Sequence, residues 1–302
     1  MDSLSDQNPL VKQIRRAVSR GTLTEDGYAV AEGVHLVVEA VAARCEIRAV
    51  IFSESAKPGV VSDLARDTSR LPEPRQVTEK TFRSMSSTET PQGVLALVKP
   101  PAADLAQVFS GDALVVILDG VQEPGNAGAI VRVAEAFGAT GAIFMKGTVD
   151  PFHPRCLRGS AGSALRLPVI AHFNPAHVDP AHFNPAHVDP AHFDGDLNSG
   201  TVMDGLRALR VYAAMPRPAG GRAHETSSIE LGAADFTVPC AIVIGGEGRG
   251  VSEPMAAIAI PVHIPTTKVE SLNAAVAAGI LLYEARRQRD SRTKDTSQKA
   301  SG

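Results

Sequence analysis

An α/β fold built on a parallel sheet is what the sequence predicts for its C-terminal part, on three observations. "ALVVILDG" (113–120) is an apolar run of strand length closed by Asp-Gly. The stretch after it, "VQEPGNAGAIVRVAEAFGATGAIFM", holds a Gly-rich turn, a helix over 127–137 with Ile130, Val131, Ala134 and Phe137 inward, and a strand at 141–145. Strand, turn, helix and strand within about 30 residues make a βαβ unit, which implies a parallel sheet. Third, "LRLPVIA", "LRVYAAM" and "CAIVIGG" (240–246) repeat the buried-strand pattern, and a helix over 273–287 closes the chain.

The N-terminal part reads as a smaller α/β unit. "PLVKQIRRAVSR" (9–20) puts Leu10, Ile14 and Val18 on one helical face and Lys12, Arg15, Arg16 and Arg20 mostly on the other. "YAVAEGVHLVVEAVA" (28–42) reads as a strand turning at Gly33 into a second helix. "IRAVIFSES" (47–55) follows as a strand, "SDLARDTSRL" as a helix, and "QGVLALVKPP" (92–101) as a strand stopped by two prolines. These readings partition the chain into an N-terminal unit 1–98, a linker 99–112, a larger domain 113–289 and a polar, disordered tail 290–302.

Composition narrows the functions without choosing one. The 302 residues are 44% hydrophobic and 21% charged, as in ordinary globular proteins, but only 4% aromatic, so the core rests on Ala, Val, Ile and Leu. A net charge of −3 gives no global pull toward nucleic acid, so RNA binding needs a local basic surface. The first helix offers one in Lys12, Arg15 and Arg16, although a solvated face explains the pattern equally well. Cys45, Cys156 and Cys240 are odd in number and far apart, which fits a reducing cytoplasm. The N-terminus lacks an apolar signal core and no run approaches a membrane span.

Three stretches carry chemistry. In "PGNAGAIVR", Asn126 can cap the following helix, and Arg132 sits nearly two turns on in an otherwise apolar helix, where the bland reading is snorkelling or pairing with Glu135. In "IVIGGEGRGVSEP" a strand ends in alternating glycines at the sheet edge where open α/β folds bind ligands, with Glu247 set inside the turn. The spacing Gly246-x-Gly248-x-Gly250 is not that of dinucleotide folds, which leaves a nicotinamide enzyme as a distant reading. In "IPTTKVESLNAAVAAGILLYEARRQR", Ser271 is a plausible N-cap, the alanines that follow suit a tightly packed helix, and Asn273 is an amide that needs a partner.

In this order, "LDGVQEPGNAGAIVRVAEAFGA", "VIGGEGRGV" and "IPTTKVESLNAAVAAG" resemble the three signature motifs of the SpoU (TrmH-like) RNA ribose 2′-O-methyltransferases. "GTVDPFHPRCLRGSAGSALRLPV" (147–169) resembles the stretch between motifs one and two. The N-terminal unit, with "TETPQGVLALV", is similar to the L30e-like RNA-binding domain that many members carry. The resemblance implies an α/β domain with a C-terminal trefoil knot, a cytoplasmic homodimer, and methyl transfer from S-adenosylmethionine to a ribose 2′-hydroxyl of structured RNA, 23S rRNA before tRNA, without a metal. It implies catalytic roles for Asn126, Arg132, Glu247, Ser271 and Asn273, and cofactor contacts at Gly245, Ile264 and Leu272. Guanidinium stays protonated at neutral pH, so Arg132 suits a phosphate and alkoxide anchor better than a base; its proton role stays open. Relatives commonly have Met after the Ile-Pro and a Gly in the third motif's loop; here Thr266 follows and the loop is one residue shorter. A non-catalytic RNA-binding or ribosome-assembly protein on the same fold is the alternative class.

One feature stands outside the motifs. "AHFNPAHVDPAHFNPAHVDPAHF" (171–193) duplicates a ten-residue unit and holds five of the nine histidines, at 172, 177, 182, 187 and 192. Histidines five apart share no helical face and each unit carries two prolines, so a duplicated surface insertion is expected rather than a metal site.

Overall fold

The computed structural model describes residues 3–56, 71–174, 199–216 and 228–300, with the side chains of 199–200 and 294–300 outside the description. The chain divides into two compact units, Met1–Ala102 with Asp150–Arg166, and Ala103–Val149 with Leu167–Gly302. Among the described residues no helix is long and apolar enough to cross a membrane.

Unit one begins with α1 (Pro9–Arg20), started by the Asn8 side chain accepting from the Leu10 N–H (2.9 Å) and by a proline at its first position. Its buried face is Val11, Ile14 and Ala17, while Leu10 and Val18 pack half-buried at the edge of the same core. Next come β1 (Ala29–Glu32), α2 (Val34–Ala42), β2 (Ile47–Ser53), β3 (Arg75–Val77), α3 (Glu79–Arg83) and β4 (Val94–Val98). The strands form one sheet in the order β1-β4-β2-β3, with β4 antiparallel to both β1 and β2, and β3 parallel to β2. The helix expected in "SDLARDTSRL" lies, except for Leu71, outside the described residues.

Unit two runs through α4 (Leu105–Phe109), β5 (Leu114–Asp119), α5 (Pro124–Ala136) and β6 (Gly141–Met145). The chain then contributes α6 (Pro154–Gly159) to unit one, and returns through β7 (Val169–Phe173), α7 (Ser199–Arg207), β8 (Arg210–Ala214), β9 (Ile229–Glu230), β10 (Cys240–Gly245), α8 (Glu253–Ile258), β11 (Ile260–His263) and α9 (Ala274–Ala300). Its seven strands are ordered β7-β6-β5-β10-β8-β11-β9 and every pairing is parallel. The central β5 is buried along its whole length and β10 along all but its final residue, so both read as continuous apolar runs.

Several expectations meet further detail in the structure. The stretch expected to be linker holds α4, whose Leu105, Val108 and Phe109 are buried in unit two. Asp150–Arg166, expected in the larger domain, clusters by its contacts with unit one. The tail expected to be disordered continues α9 to Ala300. The start of this stretch is anchored by side chains: Arg289, just before it, donates to the carbonyls of Phe236 (2.9 Å), Ala113 (2.9 Å) and Val238 (3.1 Å), and Arg292 pairs with Asp112 (2.7 Å). Finally, neither Asn126 nor Ser271 is a helix cap. Glu123 caps α5 through the Gly125 N–H, and Asn273 caps α9.

Candidate active site

β5 and β10 are neighbours in register, with Gly245 opposite Asp119, so both strands end at the same edge of the sheet. From β5 the chain moves outward to β6 and β7, whereas β8 flanks β10 on its other side; ligands of open α/β sheets bind at such a switch point. The Asp119 carboxylate is buried and accepts the Ser252 N–H (2.7 Å), while its carbonyl accepts the Gly246 N–H (2.9 Å). These two bonds fix both ends of the glycine loop against β5. Gly246 has no room for a side chain: a Cβ there would lie 2.2 Å from the Gly120 carbonyl oxygen.

Three residues far apart in sequence meet beside this loop. Glu247 Oε1 accepts from Asn126 Nδ2 (2.7 Å) and from Asn273 Nδ2 (3.2 Å), and Asn273 Nδ2 also reaches Asn126 Oδ1 (3.1 Å). Asn273 uses its other side-chain atom at the start of α9, accepting the Ala275 (2.9 Å) and Val276 (3.3 Å) N–H groups. One amide therefore caps a helix and ties the first turn of α5 to the glycine loop. Arg132 lies further along α5 with its side chain exposed, and makes no ion pair among the described residues. Its guanidinium is a permanent cation carrying five N–H donors, and it is free to meet an anion.

Next to the node is a cavity of ≈ 460 Å³, within the size range of small-molecule sites. Gly245, Ile264 and Leu272 line it, as do Glu247 and Ser271; Asn126, Arg132 and Asn273 do not. Met215, Arg249 and Glu270 also line it and were not singled out from sequence. Met215 could have been, since it directly follows a predicted parallel strand and so falls at the ligand-binding edge. The loop after Ile264 contributes Thr266, whose hydroxyl donates to the Val269 carbonyl (2.6 Å) and closes a tight turn.

The residues expected to bind RNA on α1 are in unit one and are not equivalent. Arg15 is half-buried, donates to Ser84 Oγ (2.7 Å) and pairs with Asp6, whose carboxyl it holds below the usual range. Arg16 pairs with Glu25 (2.9 Å), and Lys12 is exposed. Among the described residues no group of three His, Cys, Asp or Glu could hold a metal ion; His177, His182, His187 and His192 lie outside them.

Comparison with known proteins gives a consistent picture. A model of the MRM3-like substrate binding domain matches residues 8–96, and one of the SpoU rRNA Methylase family matches 113–179 and 204–283. The second match skips 180–203, which contains the second copy of the histidine repeat. An uncharacterized tRNA/rRNA methyltransferase of Synechocystis is 32% identical, across 94% of this chain and 93% of its own length. The 23S rRNA (guanosine(2553)-2′-O)-methyltransferase RlmP of Bacillus subtilis is 27% identical, across 93% and 98%. Among solved structures, the SpoU methyltransferase AviRb of Streptomyces viridochromogenes superposes with a TM-score of 0.72 at 28% identity, covering 94% of this chain and 98% of that one. The AdoMet-bound rRNA methyltransferase of Sinorhizobium meliloti does so with 0.71 at 27%, covering 95% and 97%.

Proposed function

Because the chain belongs to the SpoU rRNA methylase family, we propose that it methylates a ribose 2′-hydroxyl of 23S rRNA from S-adenosylmethionine. The observation that carries the reading is the convergence of Asn126, Glu247 and Asn273, one from each motif, beside a cavity walled by a glycine loop. The cavity fits the cofactor: its size suits a nucleoside-bearing ligand, its glycine loop offers backbone groups, and Ile264 and Leu272 offer apolar surface. S-adenosylmethionine, when bound, supplies an electrophilic methyl on a sulfonium, so the protein needs to provide no metal. Gly245, Ile264 and Leu272 hold it, with Ser271 at the cavity wall.

The remaining work is to hold the ribose oxygen in line and to favour loss of its proton. Arg132 takes the adjacent phosphate in its fork of donors and stabilises the alkoxide as it forms. Glu247, neutralised in part by two amide donors, holds the first turn of α5, the helix that carries Arg132 further along. Asn273 keeps that arrangement in register with the start of α9.

The same reading makes the protein a cytoplasmic homodimer. Val276 and Tyr283 stand exposed on α9, with Tyr283 edge-on to Phe137 (5.7 Å between rings), and a second copy would cover this apolar strip. We carry the trefoil knot with it as the family's way of threading the segment after β10. The test is Arg132→Ala assayed on rRNA and tRNA from cells lacking the gene. A fall of about 10²–10³ in kcat with cofactor affinity retained is expected. Full methylation by the variant refutes the assignment, and loss of a tRNA mark alone moves the substrate from rRNA to tRNA.

A further inference from the structure

The segment Asp150–Arg166 lies within the SpoU match yet packs into unit one. Its point of attachment is specific. Gly21, the left-handed residue ending α1 (φ 66°), sits so close to the His153 ring that a Cβ there would lie 2.1 Å from His153 Cδ2. His153 in turn caps α6, accepting the Arg155 N–H at 3.0 Å. Arg20, the last residue of α1, is therefore next in sequence to the glycine that the α6 cap touches. On α6 itself Pro154, Cys156 and Leu157 are buried, whereas Arg155 and Arg158 are exposed. Spaced three apart, they project from one helical face.

Unlike several arginines near them, these lack a compensating partner among the described residues. Arg15 and Arg16 on α1 are matched by Asp6 and Glu25, and Arg166 in the same segment by Glu39. Arg20, Arg155 and Arg158 make no hydrogen bond or ion pair through their side chains among the described residues. The nearby Asp150 carboxylate accepts the Phe152 N–H (2.8 Å) at the entry to the helix. Cations left unpaired on a chain of net charge −3 fit an anionic polymer better than an acidic side chain, of which this surface already has its complement.

We propose that Arg20, Arg155 and Arg158 form a phosphate-gripping face of unit one for the RNA backbone, in place of Arg15 and Arg16. The methylase segment thereby completes the substrate-binding unit. The inference rests on the RNA methyltransferase reading above. The grip is electrostatic and independent of base, so it sets RNA affinity and its salt dependence rather than the chemical step.

The test uses the full chain with transcribed 23S rRNA, titrated over a series of KCl concentrations. In Arg155→Gln with Arg158→Gln, the log–log salt slope should shrink by about 1–2 and KM for RNA rise about tenfold. The kcat at saturating RNA and the affinity for S-adenosylmethionine should stay within about twofold. The double lysine variant should keep the parental slope, since phosphate accepts a point charge. Arg20→Gln, on the other helix, should remove about one unit of slope and serves if the α6 pair fails to fold. Parental slope and KM in the glutamine variants overturn the inference, as does a lysine variant as weak as the glutamine one. If the parent chain neither binds nor methylates rRNA, the functional reading itself fails and takes this inference with it.

Discussion

Replacing Asn273 by Asp separates the helix-capping role of this residue from its role in the three-motif node. The carboxylate keeps an acceptor for the Ala275 and Val276 N–H groups, and a negative charge at a helix N-terminus is favourable by about 0.3–1 kcal/mol. What is lost is the donor that now lies 3.2 Å from Glu247 Oε1 and 3.1 Å from Asn126 Oδ1. In its place stands an oxygen carrying charge. Two unit charges at that separation repel by about 1.3 kcal/mol in water and about 5 kcal/mol at an effective dielectric of 20. Glu247 and Asn273 are both exposed, so the lower end applies, about 1–2 kcal/mol. For a unit of this size that is a fall in Tm of roughly 3–6 °C. Adding Glu247→Gln removes the repulsion and supplies an amide donor to the introduced carboxylate, so the double variant should recover most of the loss. Thermal melts of the parent, both single variants and the double variant close the cycle, with an expected coupling of about 1 kcal/mol or more. A coupling below about 0.3 kcal/mol refutes the reasoning, because the two side chains would then not interact in solution.

Two further outcomes follow from the same contacts. Arg289→Ala strips the donor from the carbonyls of Phe236, Ala113 and Val238 and should cost about 3 kcal/mol in urea unfolding, with lysine recovering only part; a loss under about 0.5 kcal/mol would show that α9 does not need this anchor. Glu79 is held at about 2 by the hydroxyls of Ser55 and Ser53 and by Arg83, below its ordinary 4.5. A depressed carboxyl contributes stability above its unfolded pKa and loses it as pH falls through the folded one, so Glu79→Gln should flatten the acid limb of unfolding between about pH 4.5 and 2; an unchanged limb would sink this.

How much of the site could be read beforehand follows the range of the interactions. The continuous apolar runs of β5 and β10 announced buried parallel strands because such strands have no polar face to break the pattern. The four-residue β11 and two-residue β9 did not, since elements so short show no period at all. The pairing of Arg15 with Asp6 and of Arg16 with Glu25 could not be read beforehand, because those partners lie off the helix and no helical spacing marks them. The tail read as disordered by composition, yet Arg292 in it donates to the Thr237 carbonyl and pairs with Asp112, partners far away in sequence.

The sequence by itself determined the parallel α/β architecture, the order of the three motifs and the need of Asn273 for a partner, all of which depend on local pattern and residue chemistry. Only the tertiary structure decided which partner that is, that Glu247 is shared between two amides, and that the segment around α6 packs with the N-terminal unit. The division has a physical cause. Propensity and periodicity act over a few residues, whereas hydrogen bonds across 26 to 147 positions exist only once the sheet has set Asp119 beside Gly245.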